Sequence, residues 1–281
     1  MSEQIHRFKI GEFECIAVLD LQSEANARDI FPEVAEDELN QACEKHGIDP
    51  EAMDMAYTCM VVDTGERRIL FDSGYGQMYG ANGQLLANLE AINLKPDDFD
   101  AVILTHLNLD HFGGLTDQDG NILFTKAKIY TWEGEWQYWT SEDVIAERGQ
   151  NIPDYREVMD KHLLSLESQM VFLNREEELF PGIRILYTPG HSPHHIAISV
   201  ESDGQSLLFV GDAFIIPPNI KYAQWVSVFD RGDLKQMVNS RKRLVKFAVE
   251  HDALFHGFHF PFPGLGRIHK DGEAWKWEAI T

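Results

Sequence analysis

Four apolar runs in this chain are each followed, within a few residues, by histidine or aspartate. We interpret each run as a β-strand, since short apolar runs bounded by loop residues are typical of buried strands. The clearest is residues 101–104 (Ala-Val-Ile-Leu), and the others are residues 183–187, 206–210 and 253–255. A loop that follows a strand can turn its side chains towards one point. The pattern therefore predicts one polar site built at the ends of several strands.

The residues that follow these strands have the side chains of metal ligands. They are His106, Asp110 and His111 after the first run, then His191, Asp212, and His256 or His259 after the others. Imidazole and carboxylate are the ligands that zinc and similar divalent ions prefer. Two metal ions bridged by a carboxylate would use all of these groups. The alternative is a polar loop whose side chains only satisfy hydrogen bonds.

Strand-like and helix-like segments alternate along the sequence. Helices are predicted for residues 33–46, for about 83–93 and from Asp233 onwards, with strands between them. This alternation favours an α/β fold in which two sheets pack face to face with helices outside. Residues 253–255 are predicted to be the last strand. Because we find no repeat and no linker rich in glycine, serine or proline, residues 1–281 are predicted to form a single domain.

The excess of acidic residues bears on which kinds of molecule the protein could bind. Lys and Arg number 24 against 46 Asp and Glu, which gives a net charge of −22. So acidic a surface repels nucleic-acid phosphates and anionic membranes. A small-molecule substrate is therefore expected, with no nucleic acid and no membrane as partner. A homodimer is left open.

Cysteine usage and the start of the chain bear on the compartment. Cys15, Cys43 and Cys59 form no CxxC pair, which favours a reducing compartment over a disulfide framework. The first residues lack a cationic start followed by an apolar run, so no signal peptide is expected. No stretch approaches the length of a membrane span. A cytoplasmic location is predicted.

The motifs themselves resemble those of a known family. Residues 105–114 (THLNLDHFGG) resemble the T-H-x-H-x-D-H-x-G-G signature of the metallo-β-lactamase superfamily. Residues 188–191 (TPGH) resemble its second metal motif, and Gly211-Asp212 its bridging aspartate. The resemblance implies a four-layer αβ/βα sandwich of two mixed sheets with helices outside.

Two further segments carry the resemblance. Residues 70–74 (LFDSG) are similar to the family's early D-T-G element. Residues 259–266 (HFPFPGLG) resemble the branch that contains methyl parathion hydrolase and its lactonase relatives. The matching motifs span residues from about 57 to 262.

The resemblance also implies a role for each matching residue. His106 and His191 would bind a first metal ion, Asp110, His111 and His259 would bind a second, and Asp212 would bridge them. Asp72 would orient a ligand from behind. His195 would steady the loop that carries His191. For the C-terminal ligand, His259 fits the family pattern and His256 is the alternative.

Asn108 departs from the pattern, because the family has its second histidine there. An amide oxygen is a weaker and harder ligand than imidazole. The first ion could be held by fewer groups, it could be iron or manganese, or its site could be empty. We favour a dinuclear centre with an altered first position that includes Asn108, with zinc as the first choice of metal.

Together these features predict a metal-dependent hydrolase. A metal-bound hydroxide would attack a lactone or carboxylic ester first and a phosphotriester second, while Asp110 orients the nucleophile and shuttles a proton. One alternative is a redox member of the fold, although such members need a flavin domain that we do not find here. The other is a non-catalytic protein that lost full metallation through Asn108.

Overall fold

The computed structural model describes residues 4–280 of the chain. Residues 1–3 and 281, the two ends of the predicted domain, lie outside the described residues. The described residues form two compact units. The first comprises the described part of Met1–Lys9, with Phe13–Leu21 and Cys59–Arg175. The second comprises Ile10–Glu12, Gln22–Thr58 and the described part of Glu176–Thr281. That the whole chain acts as a single domain stays a prediction.

Strands and helices alternate along the chain. The strands are β1 (Ile5–Ile10), β2 (Phe13–Ala25), β3 (Met53–Asp63), β4 (Arg68–Phe71), β5 (Ala101–Ile103), β6 (Lys128–Trp132), β7 (Met170–Leu173), β8 (Glu178–Phe180), β9 (Ile183–Tyr187), β10 (Ile196–Ser202), β11 (Gln205–Phe209), β12 (Leu254–His256), β13 (Leu265–Asp271) and β14 (Ala274–Ala279). The α-helices are α1 (Ala27–Ile30), α2 (Glu36–Lys45), α3 (Leu85–Ala91), α4 (Leu109–Phe112), α5 (Glu133–Trp139), α6 (Glu142–Gly149), α7 (Tyr155–Val158) and α8 (Leu234–Glu250).

Seven strands form the first sheet, in the order β1-β2-β3-β4-β5-β6-β7. β3 and β4 are antiparallel, whereas β4, β5, β6 and β7 run parallel to one another. The interior strand β5 is buried along its whole length, as its uninterrupted apolar sequence predicts. Because β4 and β5 are parallel, the loops that leave them start at the same edge of the sheet.

The second sheet also has seven strands, in the order β14-β13-β12-β11-β10-β9-β8. Its strands are antiparallel except for the parallel pair β11 and β12. The prediction of two mixed sheets with helices is confirmed. No helix among residues 4–280 is long and apolar enough to cross a membrane.

The prediction that residues 253–255 form the last strand is wrong, because β13 and β14 follow it. These two strands pair as a hairpin, with Ile268 opposite Trp277. Their sequences mix apolar with charged residues, so neither strand contains an apolar run. β14 is also an edge strand of the sheet. A search for apolar runs therefore misses them.

Helix α8 follows its sequence signals closely. Asp233 caps its first turn by accepting a hydrogen bond from the Gln236 N–H, as aspartate commonly does at this position. Its apolar side chains recur at helical spacing and pack in the core of the second unit with those of the sheet. One charged residue, Arg241, lies on the same buried side of the helix.

Candidate metal centre

In the first unit, the ends of two parallel strands bring Asp72 to the segment that carries the motif histidines. β4 pairs with β5 so that Phe71 lies opposite Ile103. Asp72 directly follows β4, and its carboxylate accepts hydrogen bonds from the Thr105 N–H and hydroxyl, both at 2.8 Å. Burial raises the pKa of Asp72, while His111 and Thr105 oppose that shift. The carboxylate is thus a fixed acceptor behind the loop.

The same carboxylate holds His111. The His111 ring lies with Nδ1 2.8 Å from Asp72 Oδ2, and both side chains are fully buried. His111 donates its Nδ1–H to this oxygen, because a carboxylate can only accept. The Nε2 atom of His111 is then the deprotonated nitrogen, and it lies 3.5 Å from Asp110 Oδ2. Asp72 therefore fixes the orientation of the His111 ring.

Helix α4 can carry His111 here because the two residues after it are glycines. A Cβ on Gly114 would lie 2.0 Å from the Ser73 carbonyl oxygen, and one on Gly113 would lie 2.2 Å from that of Tyr75. No side chain fits either gap. The paired glycines of the motif let this helix approach the loop that follows Asp72.

His106 faces the same region of the first unit. Its ring centroid is 4.0 Å from that of His111. Its Nδ1 is 3.0 Å from the Thr105 hydroxyl oxygen. Since that hydroxyl already donates to Asp72, it accepts from His106, which places the proton on Nδ1. Asn108, between His106 and Asp110, is the half-buried N-cap of α4.

In the second unit, β9 and β10 position His191 and His195. Tyr187 pairs with Ile196, so the first and last residues of the loop between the strands, Thr188 and His195, lie side by side. The His195 ring donates from Nδ1 to the Thr188 hydroxyl at 2.8 Å and accepts the Asp212 N–H at Nε2. Both ring nitrogens of His195 are thus used by the protein itself, which suits a residue that steadies the loop.

Parallel strands β11 and β12 bring Asp212 to His259. Phe209 lies opposite His256, and Asp212 and His259 each lie three residues beyond these paired positions. His259 Nε2 is 3.2 Å from Asp212 Oδ2, while its Nδ1–H donates to the Ala56 carbonyl at 3.0 Å. His191 Nε2 lies 3.5 Å from the same Asp212 oxygen. One carboxylate oxygen thus faces two histidines.

His256 lies in a different environment from His259. It is the last residue of β12, fully buried, with its ring stacked on Phe209 at a centroid distance of 4.9 Å. Burial lowers the pKa of His256 to about 3, so the ring stays neutral in the core. The structure places His259, and not His256, beside Asp212.

Two buried charged residues near His191 were missed from the sequence. Asp230 Oδ1 lies 3.0 Å from His191 Nδ1, and Arg241 lies 3.7 Å from the other Asp230 oxygen. Burial alone would raise the pKa of Asp230, but His191 and Arg241 hold it below its usual value. Burial lowers the pKa of Arg241 to about 10. In the sequence, Arg241 stands out only because it is a charged residue at a position where the helical spacing of α8 predicts an apolar side chain.

Whether the histidines suit a metal ion depends on which ring nitrogen carries the proton. His106, His111, His191 and His259 each have Nδ1 beside an oxygen acceptor of their own unit. In its neutral form each ring then presents Nε2 as the lone-pair nitrogen, which can bind a metal. Three of these nitrogens lie 3.2–3.5 Å from a carboxylate oxygen. Two lone-pair atoms facing each other need a cation or a proton between them, so the donor chemistry fits a divalent ion.

Comparisons with known proteins agree with this chemistry. The family model of the metallo-β-lactamase superfamily matches residues 54–251. An N-acyl homoserine lactonase from Bacillus cereus is 26% identical over 222 residues, covering 69% of this chain and 80% of the lactonase.

Solved structures resemble the chain over almost its full length. AidC, a dizinc quorum-quenching lactonase in complex with a product, has a TM-score of 0.85 at 23% identity, covering 99% of this chain and 97% of AidC. AbOPH, a hydrolase of the β-lactamase superfamily, has a TM-score of 0.88 at 23% identity, covering 100% and 99%. At 23% identity, this structural similarity shows that the chain has the same fold.

Proposed function

Because the chain belongs to the metallo-β-lactamase superfamily, we propose that it is a metal-dependent hydrolase that opens lactones or simple carboxylic esters. The observation that carries the proposal is that His111, His191 and His259, each with Nδ1 beside an oxygen acceptor, have Nε2 3.2–3.5 Å from a carboxylate oxygen. His195 has the same tautomer, but its Nε2 accepts the Asp212 N–H instead of facing a carboxylate oxygen.

The proposed centre holds two divalent ions. His106 and His191 would bind one, with Asn108 nearby, and Asp110, His111 and His259 would bind the other. Asp212 would bridge the two ions, since a carboxylate between cations reduces their repulsion. AidC, whose fold this chain shares, is a dizinc enzyme, which supports two ions and makes zinc the first metal to test. When bound, the ions supply Lewis-acid chemistry that activates water near neutral pH and polarises the substrate carbonyl.

The chain's own residues would then hold and move protons. Asp72 keeps His111 in the required tautomer. The Asp110 side chain is 17% exposed, so it can reach both solvent and substrate. We assign it the role of accepting the proton of the attacking water and passing it to the leaving alkoxide. The oxygen of water joins the carbonyl carbon, the ring C–O bond breaks, and the product is a hydroxy acid.

Support for the substrate class comes from the relatives. The Bacillus cereus relative is an N-acyl homoserine lactonase, and AidC is a quorum-quenching lactonase. A phosphotriester is the second candidate, because residues 259–266 resemble the methyl parathion hydrolase branch. Both classes are small and lack the phosphate charges that a net charge of −22 would repel.

Metal analysis and a substrate screen test the proposal together. Protein purified without added metal should contain two divalent ions per chain and should open an N-acyl homoserine lactone faster than a matched phosphotriester. Asp212→Ala should lose most activity and at least one ion. Asp271→Ala, at an exposed aspartate of β13, is the control and should keep both. Full metal content and turnover in Asp212→Ala would exclude the dinuclear centre.

A further inference from the structure

We propose that Asp230 and Arg241 are positioning residues that fix the tautomer and orientation of His191 for metal binding. This inference rests on the proposed function, because it concerns how one of the proposed ligands is held. Both side chains are buried, and Asp230 lies at Nδ1 of His191, whereas the Asp212 oxygen lies at Nε2.

Asp230 is held against His191 from several directions. Its Oδ1 accepts the His191 Nδ1–H at 3.0 Å, and its Oδ2 accepts the Ser227 N–H at 2.6 Å. The neighbouring backbone adds two hydrogen bonds to the same loop, from Arg231 N–H to the His191 carbonyl and from Gly232 N–H to the Gly190 carbonyl. The His191 ring therefore cannot turn without breaking contacts to a segment that is itself fixed.

Arg241 places a buried positive charge beside Asp230. Its side chain is fully buried, and its Nη2 lies 3.7 Å from Asp230 Oδ2. Its other donors bind the carbonyl oxygens of Ala213 at 2.5 Å, Ala223 at 3.0 Å and Trp225 at 2.6 Å. Burying an isolated arginine is costly, so the nearby carboxylate is its natural partner.

The arrangement has a direct consequence for Asp212. The three carbonyl oxygens bound by Arg241 lie on the segment that follows Asp212, beginning with the adjacent residue Ala213. The same guanidinium therefore positions this segment and, through Asp230, His191. A carboxylate behind a histidine also makes its Nε2 a better electron donor to a metal ion. Asp230 and Arg241 should thus raise the affinity of the ion that His191 binds.

Asp230→Asn tests the role of Asp230. The variant keeps the shape of the side chain, but its NH₂ group must face either the His191 Nδ1–H or the Ser227 N–H, and both are donors. We expect the affinity of one of the two ions to fall by about 10–100-fold, the usual effect of losing such a partner. Competition with a metal-binding dye measures this affinity without relying on activity.

Asp233→Asn is the matched control, since it makes the same exchange three residues further on. Asp233 caps α8, and asparagine caps a helix as well as aspartate does. This variant should bind both ions as the wild type does. If Asp230→Asn also binds both ions with unchanged affinity, the inference is wrong and the proposed function stands. If the wild type binds no divalent ion, the proposed function fails.

A second measurement reads the tautomer of His191 in the wild type itself. Nitrogen-15 NMR of the metal-free wild type reports which ring nitrogen of His191 is protonated, with His191→Gln used to assign the signal. We expect the proton on Nδ1. Arg241→Lys keeps the positive charge but cannot reach all three carbonyl oxygens, so it should show a mixture of tautomers. A proton on Nε2 in the wild type would contradict the inference.

Discussion

Asn108 is the residue at which this chain departs from the metal motif of its family. It lies between His106 and Asp110 and begins α4, so its backbone position is that of the missing histidine. An amide is a poorer zinc ligand than imidazole, and of the two proposed ions the one assigned to His106 and His191 should accordingly be bound more weakly. A chelator should remove it first.

Asn108→His should strengthen the binding of that ion. The variant adds a neutral imidazole, and we expect tighter zinc binding and slower loss of the first ion to chelator, measured by dye competition. Asn151→His, at an exposed position, controls for zinc bound by any surface histidine. Tighter zinc binding with a loss of lactone hydrolysis would mean that Asn108 serves to bind another metal or to contact the substrate. Unchanged zinc affinity and turnover would mean that Asn108 faces away from the ions.

The sequence favoured His259 over His256 only through the resemblance to the family motif, because local pattern alone does not separate the two. Both follow the strand predicted at residues 253–255. In the structure β12 continues through His256, whose ring packs on Phe209, and His259 lies in the loop beyond. Asp230 was beyond prediction for a different reason. Its contact with His191 spans 39 residues of chain and belongs to no motif.

At the level of elements, the predicted strands were found where an apolar run is bounded by turn residues. β5, β9 and β11 are such strands, and the residues that follow them carry the candidate ligands. The helix predicted at residues 33–46 is α2, Glu36–Lys45. The pairing of strands could not be derived from the sequence. The contact of Asp72 with His111 was therefore not predictable, since it depends on β4 and β5 being parallel neighbours.

The loop that carries His191 depends on its packing against α8. A Cβ on Gly190 would lie 2.5 Å from Met237 Cα, a backbone atom that cannot move without moving the helix. Gly190→Ala should therefore force the loop away from α8 and lower the free energy of unfolding by about 1–3 kcal/mol. The displaced His191 should also bind its ion more weakly. Urea unfolding and metal titration measure the two effects.

Gly149→Ala is the control for this exchange. Gly149 is the last residue of α6, and nothing lies within 4 Å of a Cβ placed there. Alanine is the better helix former, so this variant should be as stable as the wild type or slightly more so. A Gly190→Ala variant with the same stability and metal affinity as Gly149→Ala would show that the loop does not depend on close approach to α8.

At the scale of the whole molecule, charge is the property that the sequence alone determines. The net charge of −22 acts over the whole surface, and its effect on a ligand falls with ionic strength as salt screens it. Two proposed divalent ions would offset only about four of these charges. The surface should therefore discriminate between substrates of different charge before they reach the metal centre.

Salt dependence of hydrolysis tests this discrimination. For an uncharged lactone, kcat/KM should change less than about 2-fold as sodium chloride rises from 20 to 300 mM, because there is no charge for the field to repel. For an ester of the same size that carries a carboxylate, kcat/KM should start lower and rise several-fold over the same range. The hydroxy acid formed from a lactone is itself an anion, so the same field should favour its release. A low but salt-independent kcat/KM for the anionic ester would instead locate the selectivity in short-range contacts at the site, where salt screens poorly.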